Sequence, residues 1–309
     1  MEMNKKEFAT IDDQIKILRN KGLVINNESI AKDVLLRENY FFINGYRTPF
    51  YTKNKKFSKG TTFEELYSLF LFDRDLRNTL FKNLLIVENN IKSIISYTMS
   101  KKYGYREKDY LKVSNFTPDI KEQRRVNDVI DKMKRQIRVN GSKHTATLHY
   151  INNYGYIPMW ILVKVLSFGI INELYGILKN DDKKEICDVY GVTIDEMEIY
   201  LSILSNYRNL CAHEDIVYEH RTQKEIPDTI YHNKLKINKV DGLYKYGKND
   251  IFALIIILKI MLTKNRFNDM MFEINEEIKK LYFNLKSIPH QKIYEILGFP
   301  INYNDITNI

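Results

Sequence analysis

FEELYSLFLFDRDLRNTLFKNLLIVENNIKSIISYTMSKKY, residues 63–103, is strongly apolar and contains neither glycine nor proline. So long a stretch without a breaker predicts one continuous helix, with DRDLR (73–77) as its polar start. Upstream, IDDQIKILRNKGL (11–23) and NESIAKDVLLREN (27–39) read as two short helices, the second capped by Asn27. Between them and the long helix lies YFFINGYRTPFY (40–51). Its Gly45 and Pro49 predict an irregular or short extended link. Downstream, helices are expected over Lys121–Arg138, Pro158–Lys179, Asp181–Tyr190, Ile194 to about His220, Lys248–Lys264 and Phe272–Lys286. No internal repeat or strand-like alternation stands out, so the expected fold class is all-α.

The 309 residues are 44% apolar, enough for a substantial core. Gly (12) and Pro (6) are scarce and no Ser/Gly/Pro-rich linker occurs. The expected organisation is an N-terminal extension over 1–60 and one helical domain over 61–309. Two cysteines, Cys187 and Cys211, are too few for a disulfide framework or a Cys/His metal cluster, which favours a reducing cytoplasm. MEMNKKEFATIDDQ (1–14) lacks the apolar stretch of a secretion signal. The most apolar run, IFALIIILKIML (251–262), is too short to span a bilayer, carries Lys259, and is expected to be a buried core helix.

The net charge of +9 suits a polyanionic partner such as nucleic acid. A chain rich in Lys, Ile, Asn and Tyr also reflects AT-rich coding, so local charge says more. Residues 101–143 hold 13 Lys/Arg against 6 Asp/Glu. Within this basic segment, Val126, Val129, Ile130, Met133 and Ile137 share one face of a helix. Arg124, Asp128, Asp131, Arg135 and Arg138 lie opposite, where Arg124–Asp128 and Asp131–Arg135 have ion-pair spacing. That face is either an ordinary solvated surface or an RNA-contacting stripe built from Arg124, Arg125, Lys134, Arg135 and Arg138.

The chemistry points to IDEMEIYLSILSNYRNLCAHEDIVYEHR, residues 194–221. Met197, Tyr200, Leu201, Ile203, Leu204, Tyr207, Leu210 and Cys211 cover more than half of its helical circumference, so this is a core helix. A narrow polar stripe remains: Glu198, Ser202, Ser205, Asn206, Asn209 and His213. Polar groups on a buried helix cost roughly 1–3 kcal/mol each when unsatisfied, so the stripe needs another protomer, a substrate or water. Arg208 and His213 stand five apart, about 140° around an ideal helix. To act together, Arg208 must reach round, the helix must end or distort near His213, or two copies must pool their residues across a two-fold axis. RNA cleavage by its own 2′-hydroxyl needs a proton acceptor that is neutral near pH 7, which imidazole supplies. It also needs a fixed cation for the phosphorane charge, which guanidinium supplies. On spacing alone the pair is a weak signal, and a structural helix-end histidine beside a carboxylate such as Glu214 is the more ordinary reading.

RNLCAH (208–213) resembles the RNxxAH form of the HEPN ribonuclease motif. YFFINGYRTPFY (40–51), FDRDLRNTLFKNLLIVENNIKS (72–93) and IPMWILVKVLSFGIINELYGIL (157–178) are similar to segments of the Abi family of abortive-infection phage-resistance proteins, AbiD/AbiF-like members included, and occur in the family's order. The resemblance implies an all-α, HEPN-like helical bundle, a homodimer joined through paired HEPN helices, and metal-independent endoribonuclease activity in antiphage defence. It calls for no cofactor. A structured noncoding RNA accompanies some relatives, which implies RNA as partner or substrate. Carried over, Arg208 and His213 take the catalytic places, with Asn209 orienting the site.

Glu88 is a further candidate, because a carboxylate in the otherwise buried LLIVENNIKS needs a partner, and Arg208 or His213 would serve. A purely structural ion pair satisfies the same need. Trp160 is expected in the core. Tyr150, Tyr154 and Tyr156 are expected to pack at helix joints, with stacking on unpaired bases as the alternative. His144, His149 and His220 lack metal-ligand spacing, and no carboxylate cluster suggests a metal-dependent nuclease. The competing function is a non-catalytic RNA-binding or sensor protein.

Overall fold

Side-chain caps begin the first helices. The Thr10 hydroxyl accepts the Asp13 amide at the head of α1 (Ile11–Asn20), and Asn27 Oδ1 accepts the Ile30 amide at the head of α2 (Glu28–Glu38). The structure, a computed structural model, describes residues 7–309; residues 1–6 of the expected extension lie outside the described residues. Residues 40–51 are not an extended link. They form α3 (Tyr40–Gly45) and a 3₁₀ turn (Thr48–Phe50). Asn39, at φ 67°, breaks α2 and caps α3 by accepting the Phe41 amide, while Pro49 sits where a helical turn needs no N–H.

The stretch 63–103 is one helix, α4 (Phe63–Tyr103), opened by a capping box between Thr62 and Glu65. DRDLR is not its polar start. The helix begins ten residues before Asp73, and Asp73 and Arg77 are buried within it. There follow α5 (Glu107–Tyr110), α6 (Gln123–Asn140), α7 (Thr145–Tyr154), α8 (Met159–Val165), α9 (Phe168–Ile177), α10 (Asn180–Asp188), α11 (Ile194–Ala212) and α12 (Ile230–Lys234). A two-residue hairpin of β1 (Lys239–Val240) and β2 (Leu243–Tyr244) precedes α13 (Ile251–Met261), α14 (Lys264–Asn284) and α15 (His290–Leu297). The fold class is all-α.

Several boundaries differ from expectation for local reasons. Pro158–Lys179 is two helices, because Ser167 is extended and its hydroxyl caps α9 through the Ile170 amide. α11 stops at Ala212 instead of near His220, as Glu214 takes φ 58°. Asp250 caps α13 and so delays its start to Ile251, whereas α14 begins at Lys264, eight residues before Phe272. α4 is the central strut, packed along its length by α14, α8 and α11. Every residue of α13 from Ile251 to Leu258 is buried, as expected of a core helix. Among the described residues no helix is long and apolar enough to cross a membrane.

The α13 cap carries a pH dependence. Asp250 is buried and accepts the Gly247 and Ala253 amides, and burial pushes its carboxyl up to about 6. A carboxyl that binds its proton more tightly folded than unfolded favours the fold most below pH 4, and that contribution fades as pH rises through about 6. A shift of this size is worth about 3 kcal/mol. In urea titrations between about pH 4 and pH 7, Asp250→Asn should gain about that much stability relative to the parent as pH rises. A stability difference that stays constant would mean the carboxyl is ionised throughout.

Candidate functional site

α11 opens with a capping box between Thr193 and Glu196 and buries Met197, Tyr200, Leu201, Ile203, Leu204, Tyr207 and Cys211 of the expected apolar face, with Leu210 half-buried. Two members of its polar stripe are satisfied within the chain. Glu198 accepts from Lys183 Nζ at 2.7 Å, and Asn206 Oδ1 meets His220 Nε2 at 2.8 Å. Burial lowers the pKa of His220, disfavouring the charged ring. Ser202, Ser205, Asn209 and His213 have no side-chain hydrogen bond among the described residues. Asn209 contributes its backbone carbonyl, which accepts the His213 amide at 3.0 Å.

Glu88 of α4 meets Arg208 of α11. Its Oε2 accepts from Arg208 Nε at 3.1 Å, and its Oε1 accepts from Lys92 Nζ at 2.6 Å. The carboxylate is buried, so two cations compensate one desolvated anion. The Arg208 guanidinium rests 5.9 Å from the centre of the Phe81 ring, and its side chain is 27% exposed. Only Nε is engaged, and among the described residues neither terminal amino group has a partner. The guanidinium is thus oriented while its two outer donors remain free for an anion.

His213 is the C-cap of α11, exposed, with no carboxylate partner among the described residues; the pairing with Glu214 does not form. Arg208 and His213 are not hydrogen-bonded to each other. Of the three ways of bringing them to one substrate, the structure shows the helix ending at the histidine. The turn beyond it is clamped from α4. Asp73 accepts the Val217 amide, the Tyr218 amide at 2.7 Å, the Tyr46 hydroxyl at 2.7 Å and Arg77 Nη1 at 2.6 Å, while Arg77 also donates to the Asp215 carbonyl. Burial pushes the Asp73 carboxyl up, opposed by Arg77 and the hydrogen bonds it accepts. This lock was missed from sequence. The signal was present: Asp73 and Arg77 are an i,i+4 pair inside an apolar helix, the reasoning that singled out Glu88. Lys92, at i+4 from Glu88, went unread in the same way.

On α6 the apolar face is buried as expected, with Ile137 half-buried. The expected Arg124–Asp128 and Asp131–Arg135 pairs do not form. Asp131 lies 3.7 Å from Lys134 and Arg125 pairs with Glu122 at 3.2 Å. α9 packs at the edge of this face: Lys132 reaches its Glu173 at 2.7 Å, and the Arg125 guanidinium lies over Gly176, where a Cβ would come within 2.2 Å of it. Arg124, Arg135 and Arg138 are exposed and without an ion pair among the described residues. Lys134 and Arg138 join Lys108 and Lys112 around an open cleft of about 500 Å³ floored by Leu111 and Ile137. Arg124 and Arg135 do not line it. Trp160 is not in the core but 42% exposed, and Tyr154 is exposed too. No group of three or more His, Cys, Asp or Glu placed to hold a metal occurs among the described residues.

Fold and site together define an all-helical protein in which a buried carboxylate on the central helix orients an arginine, with an exposed histidine at the end of the same α11. Residues 33–219, more than half of the chain, match the family model described as Abi-like protein, and the chain belongs to that family. The match takes in Asp73, Glu88, Arg208, His213 and the clamped turn. Membership supports a function in abortive infection, an antiviral defence. No curated protein and no solved structure shows a match.

Proposed function

We propose that this protein is a HEPN-type endoribonuclease that acts in abortive infection without a metal. The observation that carries the reading is Arg208: anchored through Nε on Glu88, it keeps both terminal amino groups free, five residues before an exposed, unpartnered imidazole. In this reaction the 2′-oxygen of one nucleotide bonds to the adjacent phosphorus and the 5′-oxygen of the next leaves. His213 takes the 2′-hydroxyl proton, Arg208 holds the non-bridging oxygens, and the leaving oxygen is protonated from solvent or from a second His213. Two copies of the chain, apposed across α11, bring two such pairs to one strand in the homodimer we propose. Arg124, Arg125, Lys134, Arg135 and Arg138 are the proposed backbone contacts, and cytoplasmic RNA is the substrate class.

Single-stranded RNA incubated with the purified protein in excess EDTA should yield 2′,3′-cyclic phosphate and 5′-hydroxyl ends, and a strand with one 2′-deoxy position should resist cutting there. Cleavage that proceeds at 2′-deoxy positions, or only once a divalent metal is restored, is incompatible with this mechanism. A second reading, a non-catalytic protein that binds a structured noncoding RNA, draws on the missing hydrogen bond between Arg208 and His213 and on the unpaired arginines of α6. It predicts binding that weakens steeply with salt and no product ends.

A further inference from the structure

Beside the C-terminal half of α4 lies an open groove of about 460 Å³ lined by Tyr97, Tyr105 and Trp160, with the Ser96 and Ser100 side chains on one wall and Lys101 at the rim. Its rings are not packing for the core: Tyr97 is 67% exposed and Tyr105 41%. Trp160 lies 6.1 Å from Tyr105, and its Nε1 is held by the Tyr150 hydroxyl at 3.4 Å. The Arg106 guanidinium stands over Tyr105 and Tyr156 at 5.7 and 5.3 Å, exposed and with no ion pair among the described residues. The Ser100 hydroxyl is buried without a hydrogen-bond partner.

Flat exposed rings beside a free guanidinium make a surface suited to a planar ring attached to an anion. An unpaired nucleotide has this chemistry, since every base offers a π-face to stack and a phosphate to meet the cation. A duplex hides its base faces and does not fit. The groove is also connected to the candidate site. Glu88, Lys92, Ser96 and Ser100 form one i,i+4 ridge of α4, and the groove's α4 lining starts at Ser93, about 8 Å along the helix from the carboxylate that anchors Arg208, and runs to Lys101, about 20 Å from it.

We infer that the Tyr97–Tyr105–Trp160 groove is a subsite for one unpaired base of single-stranded RNA, a few nucleotides from the bond held at Arg208 and His213; this rests on the ribonuclease reading for the position of that bond. Trp160 is the only tryptophan in the chain, so its fluorescence reports on the groove alone. The test uses full-length His213→Ala protein, a labelled ten-nucleotide single-stranded RNA, the same sequence as a duplex, and AMP. Saturable quenching of Trp160 by the single strand is expected, with the midpoint given by anisotropy of the label, and with none from the duplex or from AMP at equal concentration. Tyr97→Ala, a change at the most exposed ring, should weaken binding about tenfold. Trp160→Phe keeps a stacking face and should bind nearly as the parent does, which guards against a variant that merely misfolds.

RNA binding with neither quenching nor a Tyr97→Ala effect overturns the subsite while leaving the ribonuclease reading intact. Quenching in a protein whose parent form cuts no RNA supports the subsite and overturns the ribonuclease reading. Quenching that follows protein concentration rather than RNA assigns the groove to contact with a second copy and overturns the inference, as does quenching by AMP where the strand gives none.

Discussion

Replacing His213 with alanine is expected to slow RNA cleavage by about 10²–10⁴-fold, the usual contribution of a positioned acid–base group. Thermal stability should hardly change. The side chain is exposed, makes no hydrogen bond within the described residues, and contributes only its backbone to the end of α11, so its removal falls among surface substitutions worth about ±0.5 kcal/mol or less. That separation is what makes the variant informative. On the proposed mechanism Arg208→Ala should lose cleavage too, but it also leaves Glu88 buried with one cation instead of two, so lost activity there would mix chemistry with destabilisation. The measurement is an initial rate of cleavage beside a melting curve on the same preparation. Unchanged cutting by His213→Ala would remove the imidazole from the mechanism.

Asp73→Ala should have the largest effect on stability, a loss of about 3–5 kcal/mol. The carboxylate is fully buried, and the change strands Arg77, the Tyr46 hydroxyl and the Val217 and Tyr218 amides together. The melting temperature should fall by about 10 °C. Cleavage should fall as well, even below the melting range, because the turn immediately after His213 loses its anchor to α4. Adding Arg77→Met to Asp73→Ala tests the cause. It removes the uncompensated charge but not the orphaned amides and hydroxyl, so stability should recover only in part. Full recovery would show that the ion pair alone mattered and that the turn is held by other contacts.

The outcome for the fold follows from the range of the interactions concerned. Helix propensity, caps and apolar periodicity act within a few residues, so the span of α4, the Asn27 cap, the buried face of α11 and the core placement of α13 were readable without coordinates. The segment 40–51 departs from the expected link because its glycine and proline, ordinarily breakers, each occupy a helical position that tolerates them. The expected α6 ion pairs do not form because exposed charges at i,i+4 gain little from pairing and have rivals: Asp131 lies nearer Lys134, while Arg124 and Arg135 stay in solvent.

For the site, the resemblance of RNLCAH to the HEPN motif is what singles out Arg208 and His213, whereas residue chemistry alone requires that Glu88 have a charged partner, because an isolated carboxylate in an apolar helix is too costly to leave alone. Which partner it took is a contact between residues 120 positions apart, the Asp73 clamp spans 144 and 145, and the exposure of Trp160 depends on how α8 meets α4. Those are properties of packing between helices, and local pattern carries no record of them.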